Sequence, residues 1–547
     1  TTVEIARDKS AGSGQIRMTG TTGASKALGD LSLVNAIAIS GTGTLDINGH
    51  NVASSGLING AGSLAIQGGG HLTLLGDNAF AGNTTINSTT VTLGAGTPDG
   101  LSAGTVALTG GSVLELAFNN AVFDNQLSGA ATETVLVTGT GITLSAVNTA
   151  VSGTWTIQGS AAISGTTADV ITNIGANSLL DLDGDYQIGG LAMEGGTLRI
   201  DTQGNGDPKG LLTVDKLSVD GGGTLALHIP DSISKADAAG TLFDHNSTPE
   251  AHQVQIVSGA DTSGQAGAQL LLTNRDGSAV GNPALDYQVQ LQGNTPTTVA
   301  EAYYTYIAIV KGDTGTSADG IYLGYGLSRI NSYTSGTLYT LDNTGAQSNV
   351  MGAQLTSTGK GQDADSASVG GGFEFKAAGN TDADMIKIGN AANNYTGATL
   401  VSSGTVQYLT DNAFGKTSQL TLAANTTVDM NGMDQKGDNA VGGALNMTST
   451  GARLLMNGGQ LDILGAATIA DTNKIDLGTN GKAVLTLNGG GSIAGTGALS
   501  GQGIINLTGT NAALTVSGAN TGLNATINVG VTNKATLDDF NGLGSGV

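Results

Sequence analysis

The feature that most constrains this chain is a strand-and-turn phrase repeated along most of its length. GTLDING, GSLAIQGGG, GTVALTGGSVLEL, GTLRID, GTLALHI, AVLTLNGGG and AALTVSGA each place apolar residues two apart, the period of a strand with one buried face. Each is bounded by Gly, Asn, Asp or Ser, residues that tolerate the positive φ of tight turns. Helical periodicity is nearly absent, and the best candidate, TTVAEAYYTYIAIV, is too rich in β-branched and aromatic residues to favour a helix. Strands recur about every ten residues without the boundaries that a string of sandwiches or barrels would need, which predicts a solenoid. The expected fold is all-β, a parallel β-helix with coils of about twenty residues stacked ~4.8 Å apart.

Composition agrees. Gly accounts for 89 of 547 residues, roughly double the usual ~7%, while Pro numbers only 6. Aromatic residues are 4% and charged residues 12%, yet hydrophobic residues reach 39%. This suits a narrow core of small apolar side chains and argues against disorder. The formal net charge is −23, and between Lys26 and Arg199 there are twelve Asp and Glu but no Lys or Arg. Such a surface repels phosphates, so nucleic acid is not an expected partner. Cys is absent, which suits a chain that crosses a membrane unfolded and equally suits many cytosolic proteins. No stretch approaches eighteen apolar residues, so no transmembrane helix is expected. The start, TTVEIARDKS, carries no basic-then-apolar signal pattern.

The pattern breaks between about residues 210 and 335, where a polar stretch precedes AYYTYIAIVKGDTGTSADGIYLGYGLSRINSY. Seven of the eleven Tyr lie between Tyr303 and Tyr339. Aromatic rings need a wider core, so this segment is expected to thicken or close a first unit, 1–335, with a second unit at 336–547. One longer phrase occurs in both units. Setting Tyr395 on Phe80 aligns Gly397 with Gly82, Thr399 with Thr84, Val401 with Ile86 and Val406 with Val91. The expectation is that this phrase folds and stacks coils rather than binds a ligand.

At these residues the sequence resembles passenger domains of type V autotransporters, the AIDA-like and pertactin-like adhesins of Gram-negative bacteria. Gly62–Leu116 and Asn393–Gly432 look like passenger-associated transport repeats, and Leu514–Val529 like a degraded third copy. Tyr303–Ile330 resembles the pertactin-like closing stretch. The two repeat units are most similar to long, repeat-rich members from uropathogenic enterobacteria. The resemblance implies a right-handed, three-faced parallel β-helix exported across the outer membrane and displayed at the cell surface. It also implies a C-terminal translocator barrel, the only membrane element expected and one whose strands this sequence does not contain. The implied activity is non-enzymatic: attachment, aggregation or biofilm formation. Its partners would be extracellular polysaccharide or glycosaminoglycan, a host matrix protein, or the same molecule on another cell. The competing readings are a β-helical polysaccharide-degrading enzyme and a passive stalk.

Candidate sites are few. The Gly-Asp-Ser-Gly motif of passenger proteases is absent, SISK (Ser232–Lys235) lacks its companion motifs, and FGKTSQ has Thr410 where a phosphate loop needs Gly. His50, His71, His228, His245 and His252 are too scattered for a zinc set. In DLDGDYQIGG, Asp181, Asp183 and Asp185 alternate, so a strand would bring three carboxylates to one face. They would be a solvated face, a calcium site, a polar ligand face or an acid–base pair. No other cofactor is expected. Tyr303, Tyr304 and Tyr306, with Tyr322 and Tyr325, would be core or a platform for sugar rings, and at least one of the adjacent Tyr303 and Tyr304 should be exposed. Trp155, between alternating neighbours, should point inward.

Overall fold

In the computed structural model the described residues are 2–8, 11–21, 23–94, 101, 103–146, 148, 150–164, 167–182, 188–200, 212–219, 221–227, 242–244, 252–263, 270–278, 284–290, 296–312 and 319–537. No α-helix occurs among them, and parallel strands stack into a β-solenoid of about 21 turns. The chain divides into two units, Thr1–Ala236 with Gln253–Val280 and Tyr306–Gly324, and Asp237–His252 with Gly281–Thr305 and Tyr325–Val547.

The first unit has three faces. One is an eight-stranded sheet running from Thr2–Ile5 to Ala150–Val151. The second stacks Leu31–Leu33, Asn51–Ser54, His71–Leu74, Thr90–Leu93, Val113–Leu116, Thr134–Val137 and Thr154–Ile157. The third is carried first by Ile16–Met18 to Ala79–Phe80 and later by Val122–Phe123 to Leu270–Asn274. Because successive coils pair in register, like stacks on like. Leu31, Val52, Leu72, Val91, Leu114, Val135 and Trp155 form one inward column. Leu72 in this column is 1% exposed, and burial of such a side chain stabilises by about 1.5–3 kcal/mol. Trp155 is buried as its alternating neighbours predicted.

The second unit stacks Leu338–Asp342 to Lys534–Leu537 on one face and Val350–Met351 to Leu499–Leu507 on another. Its third face begins as two isolated bridges, Gln435 to Leu461 and Val441 to Ile463, before Gln460–Ile463 and Ala483–Leu487 pair as strands. The first coils are long: Leu338 pairs with Gly372, 34 residues on, and Phe373 with Thr399, 26 residues on. A longer coil encloses a wider section, and it is filled by rings. Phe373 meets Tyr395 at 4.8 Å, Phe375 meets Phe414 at 5.3 Å, and Tyr408 meets Phe414 at 5.0 Å between centroids. Aromatic residues therefore widen the start of this unit too, beyond the tyrosine-rich stretch that the sequence singled out.

The phrase shared by the two units is architectural at every aligned position. Phe80, Thr84, Ile86 and Val91 are buried, as are Tyr395, Thr399, Val401 and Val406. A single hydroxyl distinguishes Tyr395 from Phe80. In the second unit a hydroxyl chain runs from Tyr395 to Thr399 (2.6 Å), on to Thr417 (2.8 Å), and ends on the Gly397 carbonyl (3.0 Å). In the first unit Phe80 has no hydroxyl, and the Thr84 hydroxyl is buried without a partner. Replacing an orphaned hydroxyl by a methyl of similar shape is neutral or stabilising, whereas breaking a satisfied chain costs about 1–3 kcal/mol. Thr84→Val is thus expected to leave stability unchanged or raise it, and Thr399→Val to lower it by ~1–3 kcal/mol. Equal shifts in the two urea-unfolding midpoints would overturn this account.

Candidate binding faces

The register that stacks apolar residues inward also stacks polar residues outward. In the second unit one column reads Thr340, Glu374, Leu400, Thr421, Asn446, Thr468, Ser492, Thr515, Thr536. All nine are half-buried or exposed. At ~4.8 Å per coil the column spans roughly 40 Å and repeats a hydroxyl or amide at nearly every step. In the first unit the corresponding column reads Thr2, Ala24, Thr44, Ala65, Thr85, Ala107, Ser128, Ala150. It is flat, small and uncharged. Ion pairs such as Lys376–Asp342 at 2.7 Å and Lys436–Asp434 at 2.7 Å join exposed lysines to half-buried aspartates on the second unit. Pairs of that kind contribute little stability.

The acidic candidates part company. Asp181 lies in strand Leu179–Leu182, where Oδ2 is 3.3 Å from Arg199 Nη1 and Oδ1 is 3.7 Å from Arg275 Nη2. Arg199 arrives by strand register and Arg275 from a later coil, so two guanidinium groups meet the charge that the local sequence left without a cation. Asp183 and Asp185 lie outside the described residues. Among the described residues no cluster of three or more His, Asp or Glu is arranged to hold a metal ion.

The tyrosines depart from expectation. Tyr303 and Tyr304 are 4% and 0% exposed, so neither adjacent ring faces solvent. Over Ala300–Tyr304 the strand is covered on both sides, which a one-sided amphipathic strand would not be. Tyr303 stacks under the Arg329 guanidinium at 3.7 Å and donates to Glu301 Oε2 at 2.8 Å, while Tyr304 packs edge-on against Tyr325 at 6.0 Å. Burial, reinforced by the neighbouring Glu301 carboxylate, pushes the Tyr303 phenol up to about 12. Tyr306 is half-buried.

Two surface features escaped sequence reading. The outward columns become visible only when coils are set in register, although Thr and Ser at alternate strand positions signal them. The second is a polar chain across four coils: His71 Nε2 to Thr92 Oγ1 at 2.6 Å, Thr92 to Glu115 Oε2 at 2.6 Å, and Thr138 to Glu115 Oε1 at 2.8 Å. His71 read alone gave no sign of it, because its partners lie about twenty and forty residues downstream. Compared with known proteins, the chain matches no protein family, no curated protein and no solved structure.

Proposed function

We propose that this chain is the passenger of a cell-surface autotransporter adhesin of a Gram-negative bacterium, acting without catalysis in attachment, aggregation or biofilm formation. The observation that carries this reading is the pair of outward columns, in which, apart from Glu374 and Leu400, uncharged hydroxyl, amide and methyl groups repeat at the coil pitch. A ligand with its own repeat can engage several rungs together, and many weak contacts then add through effective concentration. A polysaccharide, a glycosaminoglycan, a host matrix protein or a second copy of the chain offers such a repeat. The net charge of −23 favours neutral or cationic partners and keeps long-range attraction to anionic ones weak. Glycan and matrix-protein arrays probed with the chain over a range of salt test this reading. Retention of specific spots at high salt is expected. Silence on every spot would leave a passive stalk, and release of reducing ends from a bound glycan would replace adhesion with hydrolysis.

A further inference from the structure

On the first unit a surface groove of about 340 Å³ crosses the strands Leu31–Leu33, Asn51–Ser54 and His71–Leu74. Its polar walls include Asp8, Asp30, Asn51 and His71, and Ala53 lies in its floor. The outward column here runs Ser32, Ala53, Thr73, Thr92, Glu115, so Ala53 is the one rung of these without a polar side chain, and the groove opens over it. The size falls at the lower end of small-ligand sites, about 300–1,000 Å³.

Both walls are built. On one, Asp8 Oδ1 accepts the Ser32 N–H at 2.6 Å and Asp30 Oδ1 accepts the Asn51 N–H at 2.8 Å. Each carboxylate is thereby anchored to the coil above, and the two stand at equivalent places in successive coils. Like charges about one coil apart repel each other. No Lys or Arg lines the groove among the described residues, and His50 Nδ1 stands 3.8 Å from Asp30 Oδ1. On the other wall His71 is held by its polar chain. The single hydroxyl proton of Thr92 goes to Glu115, so Thr92 accepts from His71, and Nε2 carries the hydrogen. In the neutral ring Nδ1 is then an acceptor.

Carboxylates, an amide oxygen and an imidazole acceptor together call for a ligand rich in donors and positively charged. Strand ladders on both sides use the local backbone N–H and C=O groups, so an extended peptide cannot add here as a further strand. We infer that the groove binds a glycan bearing free amines, with its ammonium between Asp8 and Asp30 and its hydroxyls toward Asn51, Thr73 and His71. This deepens the adhesin reading by naming a ligand class at one place on the surface.

The test is calorimetric titration of the whole chain with a fully deacetylated chitin tetramer, its N-acetylated counterpart and tetralysine. The deacetylated tetramer is expected to bind at least tenfold more tightly than the other two. The double variant Asp8→Asn with Asp30→Asn keeps an oxygen to accept each backbone N–H and should lose at least tenfold in affinity. His71→Ala should lose severalfold, and the exposed Asp124→Asn, elsewhere on this unit, should lose nothing. Equal binding of the acetylated tetramer, full binding by the double variant, or equal loss in Asp124→Asn would each overturn the site. Tetralysine binding as tightly would assign the groove to cationic peptides instead. Array signals from a parent chain that ignores the deacetylated tetramer would sink the groove and leave the adhesin reading standing. Silent arrays beside a normal titration would do the reverse.

Discussion

Replacing Gly397 by Ala should destabilise the second unit by at least ~3 kcal/mol, in the upper range of single substitutions. A Cβ at this position would sit 2.3 Å from the carbonyl carbon and oxygen of Gly371 and 2.4 Å from the Gly372 nitrogen. These are backbone atoms of the coil below, fixed by the Gly397 N–H to Gly371 O bond at 3.1 Å, and cannot swing aside. The coils must part instead, which breaks ladder bonds and opens the aromatic core around Tyr395. The position is one of a row. A Cβ at Gly465 would lie 2.5 Å from the Gly443 carbonyl carbon, and one at Gly489 would lie 2.3 Å from that of Gly465. The first unit repeats the device, where a Cβ at Gly62 would meet the Gly41 oxygen at 2.2 Å and one at Gly82 the Gly62 oxygen at 2.4 Å. Ser418 occupies a rung of the row in the second unit, and its side chain is exposed. Gly14→Ala is the control: nothing lies within 4 Å of its Cβ position. Guanidinium unfolding and limited proteolysis check the pair. A Gly397→Ala chain as resistant as Gly14→Ala would refute the contact argument.

The repetitive half of the fold was legible because its causes are local. An alternating phrase such as GSLAIQGGG states its strand, its inward face and its turn within nine residues, and Leu64 and Ile66 are buried as the alternation requires. Turn chemistry was equally open: among the described residues, eight of the ten non-glycine positions with positive φ are Asn. The shared phrase was read correctly as structural, but only in part. Its pattern does not show that Gly82 and Gly397 are close-contact residues that keep the corner narrow. Long-range causes were hidden. Asp181 appeared to lack a cation because Arg199 and Arg275 are brought to it only by coil stacking. Tyr303 and Tyr304 were expected to split between core and solvent because a strand has two faces, and the sequence does not say that both are covered. The groove rests on the same kind of information, since Asp8, Asp30 and His71 share a site only after three coils align.

The first letter of the shared phrase carries the second large effect. Asn78 and Asn393 precede Phe80 and Tyr395 by two residues, and their side-chain oxygens accept the N–H of Ile58 at 3.0 Å and of Leu355 at 2.7 Å. The same buried clamp recurs along both units, with Asn148 on Leu127, Asn473 on Ala452 and Asn533 on Ala512. At a corner the chain leaves one sheet before joining the next, so one N–H per coil has no strand partner, and an Asn of the following coil supplies the acceptor. Asn473 is 1% exposed; its oxygen takes the Ala452 N–H at 2.8 Å and its amide donates to the Met447 carbonyl. Asn473→Leu preserves approximate size and removes both functions, leaving the buried Ala452 N–H unsatisfied at about 1–3 kcal/mol, while the Met447 carbonyl keeps the Ala470 N–H at 2.9 Å. The expected loss is therefore ~1–3 kcal/mol, against less than ~0.5 kcal/mol for Asn446→Leu on the outward column. Stacked coils unfold piecewise, so a single melting temperature would blur the effect. Hydrogen exchange resolves it: protection should fall in Arg453–Leu455 and Lys474–Asp476, the strands flanking the lost clamp, and persist at Leu338–Asp342 in the same unit. Uniform loss across the unit, or none at Ala452, would mean that the corner finds its hydrogen bonds elsewhere.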